Sequence, residues 1–71
     1  MLSFEVKNFG KEIQIHCDDE GVALLISRLE EGRSSGGHIH LRTPSIGGEE
    51  LCGKTPWDKD AVPEVIINFG D

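Results

Sequence analysis

Residues 12–29 read EIQIHCDDEGVALLISRL, and this stretch decides the fold because its hydrophobic period changes partway along it. The first part alternates polar and apolar side chains, which predicts a strand with one buried face. After three acidic residues, the apolar side chains fall on one helical stripe: Val22, Leu25, Ile26 and Leu29. A strand that leads directly into an amphipathic helix indicates a chain of mixed α and β structure.

The predicted helix covers about residues 19–31. Asp is a good N-cap residue, and the acidic run 18–20 suits the positive end of a helix dipole. Gly32 fits the position just past the last turn. We expect Leu25 and Leu29 to lie on the buried stripe.

Upstream, Leu2, Phe4 and Val6 alternate with polar residues and predict a strand. Residues 8–11 supply turn chemistry, with Gly10 able to adopt positive φ. The two strands should therefore form a β-hairpin. The apolar side chains of its second strand are predicted to face inward: Ile13, Ile15 and Cys17. Its polar side chains are predicted to form an open face: Ser3, Glu5, Lys7, Glu12, Gln14 and His16.

Downstream, residues 38–42 alternate again, with Ile39 and Leu41 predicted to point inward. A last strand runs from near Pro63 to Gly70, and its inward residues are Val65, Ile67 and Phe69. We therefore predict a single α+β domain over residues 1–71, with element order ββαββ. Its four strands should form one mostly antiparallel sheet with the helix packed on one face.

The charge balance bears on the class of partner. Thirteen acidic residues against seven basic ones give a formal charge of −6. Nucleic acid and anionic membranes repel such a surface, whereas a basic protein is attracted to it. Plain solubility explains the same charge. No apolar stretch approaches the roughly 20 residues of a membrane span, and the N-terminal residues lack a signal-peptide pattern. We therefore expect a cytoplasmic protein in which Cys17 and Cys52 are free thiols.

All three histidines of the chain, His16, His38 and His40, fall on the face of the predicted four-stranded sheet that is expected to be open. His38 and His40 are neighbours on one strand face because side chains at i and i+2 point the same way. A His-x-His pair can chelate a transition metal, and the possible third ligands are His16, Glu49, Glu50 and Cys52. No Cys-x-x-Cys pair accompanies it, and no triad or phosphate-binding motif occurs. The sequence therefore predicts no catalytic machinery and no cofactor. Two alternatives remain: a small metal-binding or regulatory domain that uses His38 and His40, and a minimal enzyme built on the same residues.

Residues 43–62 form a long connection that either contains a short element near residues 49–52 or is functional. Trp57 in this segment either covers the edge of the core or anchors a protein interface. Four acidic residues would then form a rim around it: Glu49, Glu50, Asp58 and Asp60.

The most distinctive segment is GHIHLRTPSIGGEEL, residues 37–51. It resembles the G-H-I-H-L…P…G-G-x-E-L signature of the immunity protein 32 family of bacterial polymorphic toxin systems. The helix before it, the chain length and the apolar final strand are also similar to that family. The resemblance covers about residues 20–70.

The resemblance implies a cytoplasmic protein that binds and neutralises a cognate toxin, with basic nucleases as one class of target. An acidic inhibitor can occupy a phosphate-binding cleft electrostatically. The residues predicted to contact this partner come from the signature strand and the long connection: Glu49, Glu50, Trp57, Asp58, Asp60, His38 and His40.

Overall fold

The computed structural model describes residues 1–70 and contains one α-helix and four strands. In chain order these are β1 (Leu2–Lys7), β2 (Glu12–Cys17), α1 (Asp19–Ser35), β3 (Gly37–Arg42) and β4 (Glu64–Phe69). A short 3-10 helix, Pro44–Ile46, lies between β3 and β4. The predicted α+β class and the order ββαββ are confirmed.

The strands form two antiparallel hairpins. β1 pairs with β2 from Leu2 opposite Cys17 to Lys7 opposite Glu12, and β3 pairs with β4 from Gly37 opposite Phe69 to Arg42 opposite Glu64. Each hairpin is its own two-stranded sheet. The single four-stranded sheet expected from the sequence is therefore not confirmed.

The turn between β1 and β2 has an unusual backbone. Asn8, Phe9 and Gly10 all have positive φ, at 54°, 57° and 83°. The N–H of Lys11 donates to the carbonyl of Asn8 at 3.1 Å. Positive φ at both central residues is a feature of type I′ turns, but this loop has four residues and its first, Asn8, is left-handed as well. The predicted turn is confirmed, and Phe9 occupies a conformation that bulky side chains rarely adopt.

Helix α1 begins where the sequence predicts and ends four residues later. Asp18 is the N-cap, and its Oδ1 accepts a hydrogen bond from Gly21 N at 2.8 Å. The C-cap is Gly36, with φ 73°, rather than Gly32. Gly32 instead lies inside the helix against Phe69, where an added Cβ would be 2.1 Å from the ring. Close packing, and not helix termination, therefore explains this glycine.

The buried face of α1 differs from the predicted stripe. Gly21 and Gly32 are its buried residues, and Leu24 and Leu25 pack against the core. Three residues of the predicted stripe are exposed: Val22, Ile26 and Leu29. The prediction was correct for Leu25 and wrong for Leu29, because the helix approaches the rest of the chain through its glycines.

The core is small and joins both hairpins. It consists of Leu2, Phe4, Leu41 and Leu51, all at most 6% exposed. Half-buried side chains from the helix and from the second hairpin complete it: Leu24, Leu25, Ile39, Val62, Val65 and Ile67. The inward positions predicted for β3 and β4 are thus confirmed.

Strand β2 contradicts the predicted orientation. Its apolar residues are exposed, with Ile13 at 66% and Ile15 at 48%, and Cys17 is exposed as well. Val6 on the neighbouring strand is 52% exposed. The core takes up the start of this apolar face, at Leu2 and Phe4, and leaves its far half uncovered.

The long connection ties the two hairpins together. The N–H groups of Cys52 and Val62 donate to the carbonyls of Leu2 and Phe4, at 2.8 and 2.9 Å. Leu51 N donates to Arg42 O at 3.1 Å. No helix or strand forms at residues 49–52, where the sequence allowed a short element, and the segment serves as a backbone link between β1 and β3.

Residues 53–61 form a narrow excursion from this connection. Ala61 N donates to Gly53 O, Thr55 N donates to Lys59 O, and Lys54 forms an isolated bridge with Asp60. Trp57 at its tip contacts the polar face of β1–β2. Ser3 and Glu5 on that face are buried, at 0% and 8% exposed. The open polar face predicted for this hairpin is therefore wrong.

Candidate functional site

The polar face of β3–β4 is open to solvent. His38 and His40 are exposed on it, with ring centroids 4.9 Å apart in an edge-to-face arrangement. Opposite them on β4 lie Asn68 and Ile66, both exposed. The sequence therefore placed the His pair correctly as neighbours on an open face.

A hydrogen-bond network holds the end of this face. Arg42 Nε donates to Glu64 Oε2, and Nδ1 of His40 lies 3.1 Å from the same oxygen. The Arg42 guanidinium, with His40 as the second contributor, holds the pKa of Glu64 below its usual range. His40 is thus fixed in orientation, whereas His38 has no side-chain hydrogen bond among residues 1–70.

Glu49 and Glu50 line an open cleft beside the N-terminal half of α1. The cleft has a volume of about 360 Å³, and leucines form part of its wall: Leu2, Leu24 and Leu51. Glu50 is committed to the fold, since its Oε1 accepts a hydrogen bond from Arg42 N at 3.2 Å and its Oε2 lies 3.8 Å from Arg28. Glu49 is exposed and has no ion pair within residues 1–70.

Trp57 completes a cluster with Glu5 and His16. Its Nε1 donates to Glu5 Oε1 at 3.3 Å, and its ring meets the His16 ring edge-on at 5.4 Å. His16 Nε2 lies 2.9 Å from the same Glu5 oxygen. The hydrogen bond with His16 holds the pKa of Glu5 below its usual range, and the Trp57 indole acts in the same direction.

The position of Trp57 combines both roles that the sequence left open. It covers the polar face of β1–β2, and 58% of its surface is nevertheless exposed. Next to it, Asp58 has φ 62° and no ion pair in the described part of the chain. Asp60 pairs with Lys54 at 2.6 Å, which lowers the pKa of Asp60 and raises that of Lys54.

The predicted partner-binding residues therefore lie in three places. His38 and His40 lie on the open face of β3–β4, Glu49 and Glu50 at the cleft, and the third group on the excursion: Trp57, Asp58 and Asp60. Arg42 links the first two groups, because its backbone N–H donates to Glu50 and its side chain contacts His40. No hydrogen bond or ion pair within residues 1–70 joins either group to the third.

Sequence reasoning missed the exposed apolar end of the first hairpin. Phe9 is fully exposed, at 105% of its reference area, and Val6, Ile13 and Ile15 are at least 48% exposed. The available signal was an aromatic residue between Asn8 and Gly10, which are turn residues. A large apolar side chain at a turn tip has no core to enter.

Two further findings concern a metal site and a membrane-spanning helix. No three His, Cys, Asp or Glu side chains within residues 1–70 are grouped so as to hold a metal ion, so the ligand set suggested for His38 and His40 does not assemble. Helix α1, the only α-helix in that range, is neither long enough nor apolar enough to cross a bilayer.

Comparison with known proteins finds no family model, no curated protein and no solved structure that matches the chain.

Proposed function

We propose that this chain is a cytoplasmic immunity protein that binds and neutralises a cognate bacterial toxin. The proposal starts from the resemblance of residues 37–51 to the signature of the immunity protein 32 family. The structure divides the residues of that signature into those that the fold uses and those that it does not. This division is the observation that supports the proposal.

Most of the signature has a structural reason. Gly37 and Gly47 have φ of 81° and 84°, which favours glycine. Gly48 lies so close to β3 that an added Cβ would be 2.2 Å from Arg42 O. Leu41 and Leu51 are core residues, and Glu50 accepts the hydrogen bond from Arg42 N.

The two signature histidines have weaker structural reasons. His38 has no side-chain hydrogen bond within residues 1–70, and His40 has only exposed contacts with Glu64 and Arg42. His38 and His40 are exposed on a face that no other part of residues 1–70 covers, and neither contributes to the core. Exposed residues that a fold does not need are candidates for recognition. We therefore place the centre of the toxin-binding surface on the open face of β3–β4.

The charge distribution supports a basic partner. The chain carries a formal charge of −6, and Glu49 and Asp58 are acids without an internal ion pair among the described residues. Unpaired exposed acids contribute to the long-range field that steers a basic protein into contact. Glu50 and Asp60 contribute less, because Arg28 and Lys54 partly neutralise them.

The test is a binding titration against the product of the gene adjacent to that of this chain. His38→Ala/His40→Ala should weaken binding by about tenfold or more, as expected when central contacts of an interface are removed. The matched control is Ser27→Ala/Ser34→Ala, which changes two exposed residues of α1. Equal affinities for the two double variants would move the interface away from β3–β4.

A second arm tests the electrostatic part of the proposal. Glu49→Gln/Asp58→Asn should slow association at low salt more than the control Asp19→Asn/Glu30→Gln, which removes the same charge from two exposed acids of α1 without an ion pair within residues 1–70. Added salt should remove the difference. Asn is chosen at position 58 because it tolerates positive φ. Trp57→Ala should raise the off-rate by about thirtyfold, which corresponds to about 2 kcal/mol of binding free energy, as expected when an interface anchor is removed. Absence of both binding and protection of toxin-expressing cells would contradict the immunity role itself.

A further inference from the structure

Strand β2 has a free edge. Its backbone pairs with β1 along six residues, and no other backbone hydrogen bond reaches residues 12–17 within the described chain. The second edge of β1, by contrast, is occupied by Cys52 and Val62. Half of the N–H and C=O groups of β2 therefore point away from its only partner strand, and such rows of groups are templates for pairing with another strand.

The usual means of blocking an edge are absent from β2. It contains no proline, no bulge in its register with β1 and no charged residue on its apolar face. Ile13 and Ile15 are exposed there, next to Val6. The edge is thus both unpaired and apolar, which favours pairing over protection.

We propose that two copies of this chain associate through their β2 edges as an antiparallel, two-fold symmetric dimer with Gln14 of both copies at the axis. An isologous contact uses the same patch on both copies, so the strand must be complementary to itself. The segment EIQIH meets this condition. Ile13 lies opposite the partner's Ile15, and Glu12 lies opposite the partner's His16.

The neighbouring registers are less favourable. An axis at Ile15 would set Glu12 opposite the partner's Asp18, and like charges directly opposite each other are destabilising. An axis at Ile13 would set Lys11 opposite the partner's Ile15. A slip of a single residue would pair the polar face with the apolar face. Charge and patterning therefore select the Gln14 axis.

This register also accounts for the exposed turn tip. It places the turn of one copy beside the junction between β2 and α1 of the other. Phe9, at the tip of that turn, faces the region where the partner's α1 begins, and Val22 is exposed in the first turn of α1. Lys11 comes next to the partner's Asp18. The exposed turn of one copy thus lies near the start of the partner's helix, and the basic Lys11 lies near the acidic Asp18.

The register is tested by cross-linking the full chain in a Cys17→Ser/Cys52→Ser background. Gln14→Cys should form a disulfide-linked dimer under mild oxidation. Glu12→Cys is the control, because the two copies of residue 12 would be four residue steps apart, about 13 Å along the strands. That distance exceeds disulfide reach. Equal cross-linking of both variants, or none of either, would overturn the proposal.

Sedimentation equilibrium of the chain without added cysteines tests the association itself. The average mass should rise toward twice the monomer mass with concentration. Lys11→Glu should weaken the dimer by about tenfold, because it places a negative charge next to the partner's Asp18. Arg33→Glu makes the same charge change near the end of α1, beside Phe69 of the other hairpin, and should not weaken it. Circular dichroism confirms that both variants fold.

A chain that stays monomeric at about millimolar concentration, where even weak association is populated, contradicts the proposal. If Ile13→Lys weakens toxin binding but leaves self-association unchanged, the β2 edge binds the toxin and not a second copy of the chain.

Discussion

The two hairpins follow the same alternation of polar and apolar side chains, but different faces of them are covered. In β3–β4 the apolar face is inside, with Leu41 at 0% exposure, and the face with His38 and His40 is open. In the far half of β1–β2 the apolar face is outside, with Ile13 at 66%, while Glu5 on the polar face is 8% exposed. The difference arises from what the rest of the chain covers.

Coverage is decided by long-range contacts. The excursion 53–61 packs Trp57 on the polar face of the first hairpin, and the core reaches only the start of its apolar face. Alternation therefore establishes which side chains share a face, but the burial of that face depends on segments far away in sequence.

The largest expected difference between the hairpins is in stability. Leu41→Ala should lower the free energy of unfolding by about 2–5 kcal/mol, because it leaves a cavity in a small core. Ile13→Ala should change it by less than about 0.5 kcal/mol, the range of exposed substitutions. Urea unfolding of the two variants measures both, and equal losses would mean that the far end of β1–β2 is buried after all.

A smaller effect is expected where the connection meets β3. Gly48→Ala would place a Cβ 2.2 Å from the backbone oxygen of Arg42, so the backbone must shift. We expect a loss of about 1–3 kcal/mol in the free energy of unfolding. Gly53→Ala is the control, because no atom lies within 4 Å of its added Cβ. Thermal melts should separate the two variants, and coincident melts would contradict the close approach.

The smallest effect concerns the covered polar face and depends on pH. The pKa of Glu5 is lowered in the folded chain, first by its hydrogen bond with His16. A lowered carboxyl pKa adds stability above the unfolded value, near 4.3, and this stability is lost as pH falls through the folded pKa. Glu5→Gln should therefore be less stable than the parent at pH 7, with the difference shrinking below about pH 4.

Glu30→Gln is the matched control for that comparison, because Glu30 is exposed and has no ion pair within residues 1–70. Urea titrations at neutral and acidic pH provide the measurement. A difference for Glu5→Gln that persists unchanged at pH 3 would show that the contact acts through packing rather than through charge.

Much of the fold follows from local patterns in the sequence. The four strands, the hairpin turn at Asn8 to Lys11 and the Asp18 cap all depend on neighbouring residues, and each was predicted. The end of α1 was not, because Gly32 is also a packing position against Phe69. The division into two sheets was missed as well, since it depends on where residues 51–62 insert their backbone.

The candidate site was predicted unevenly for the same reason. Strand parity alone makes His38 and His40 neighbours, so the sequence was sufficient there. The cluster of Glu5, His16 and Trp57 joins residues 52 positions apart, which no local pattern reveals. The ion pairs of Glu50 with Arg28 and of Asp60 with Lys54 also required the tertiary structure. They leave Glu49 and Asp58 as the acids of this set without an ion pair within residues 1–70.

The position of Trp57 gives the chain an optical probe. The sequence contains one tryptophan and no tyrosine, so ultraviolet-excited emission comes almost entirely from this indole. Its N–H donates to Glu5 and its ring touches His16, both on the first hairpin. The wavelength and yield of that emission therefore follow the seating of the excursion on β1–β2, in the unlabelled protein and in real time.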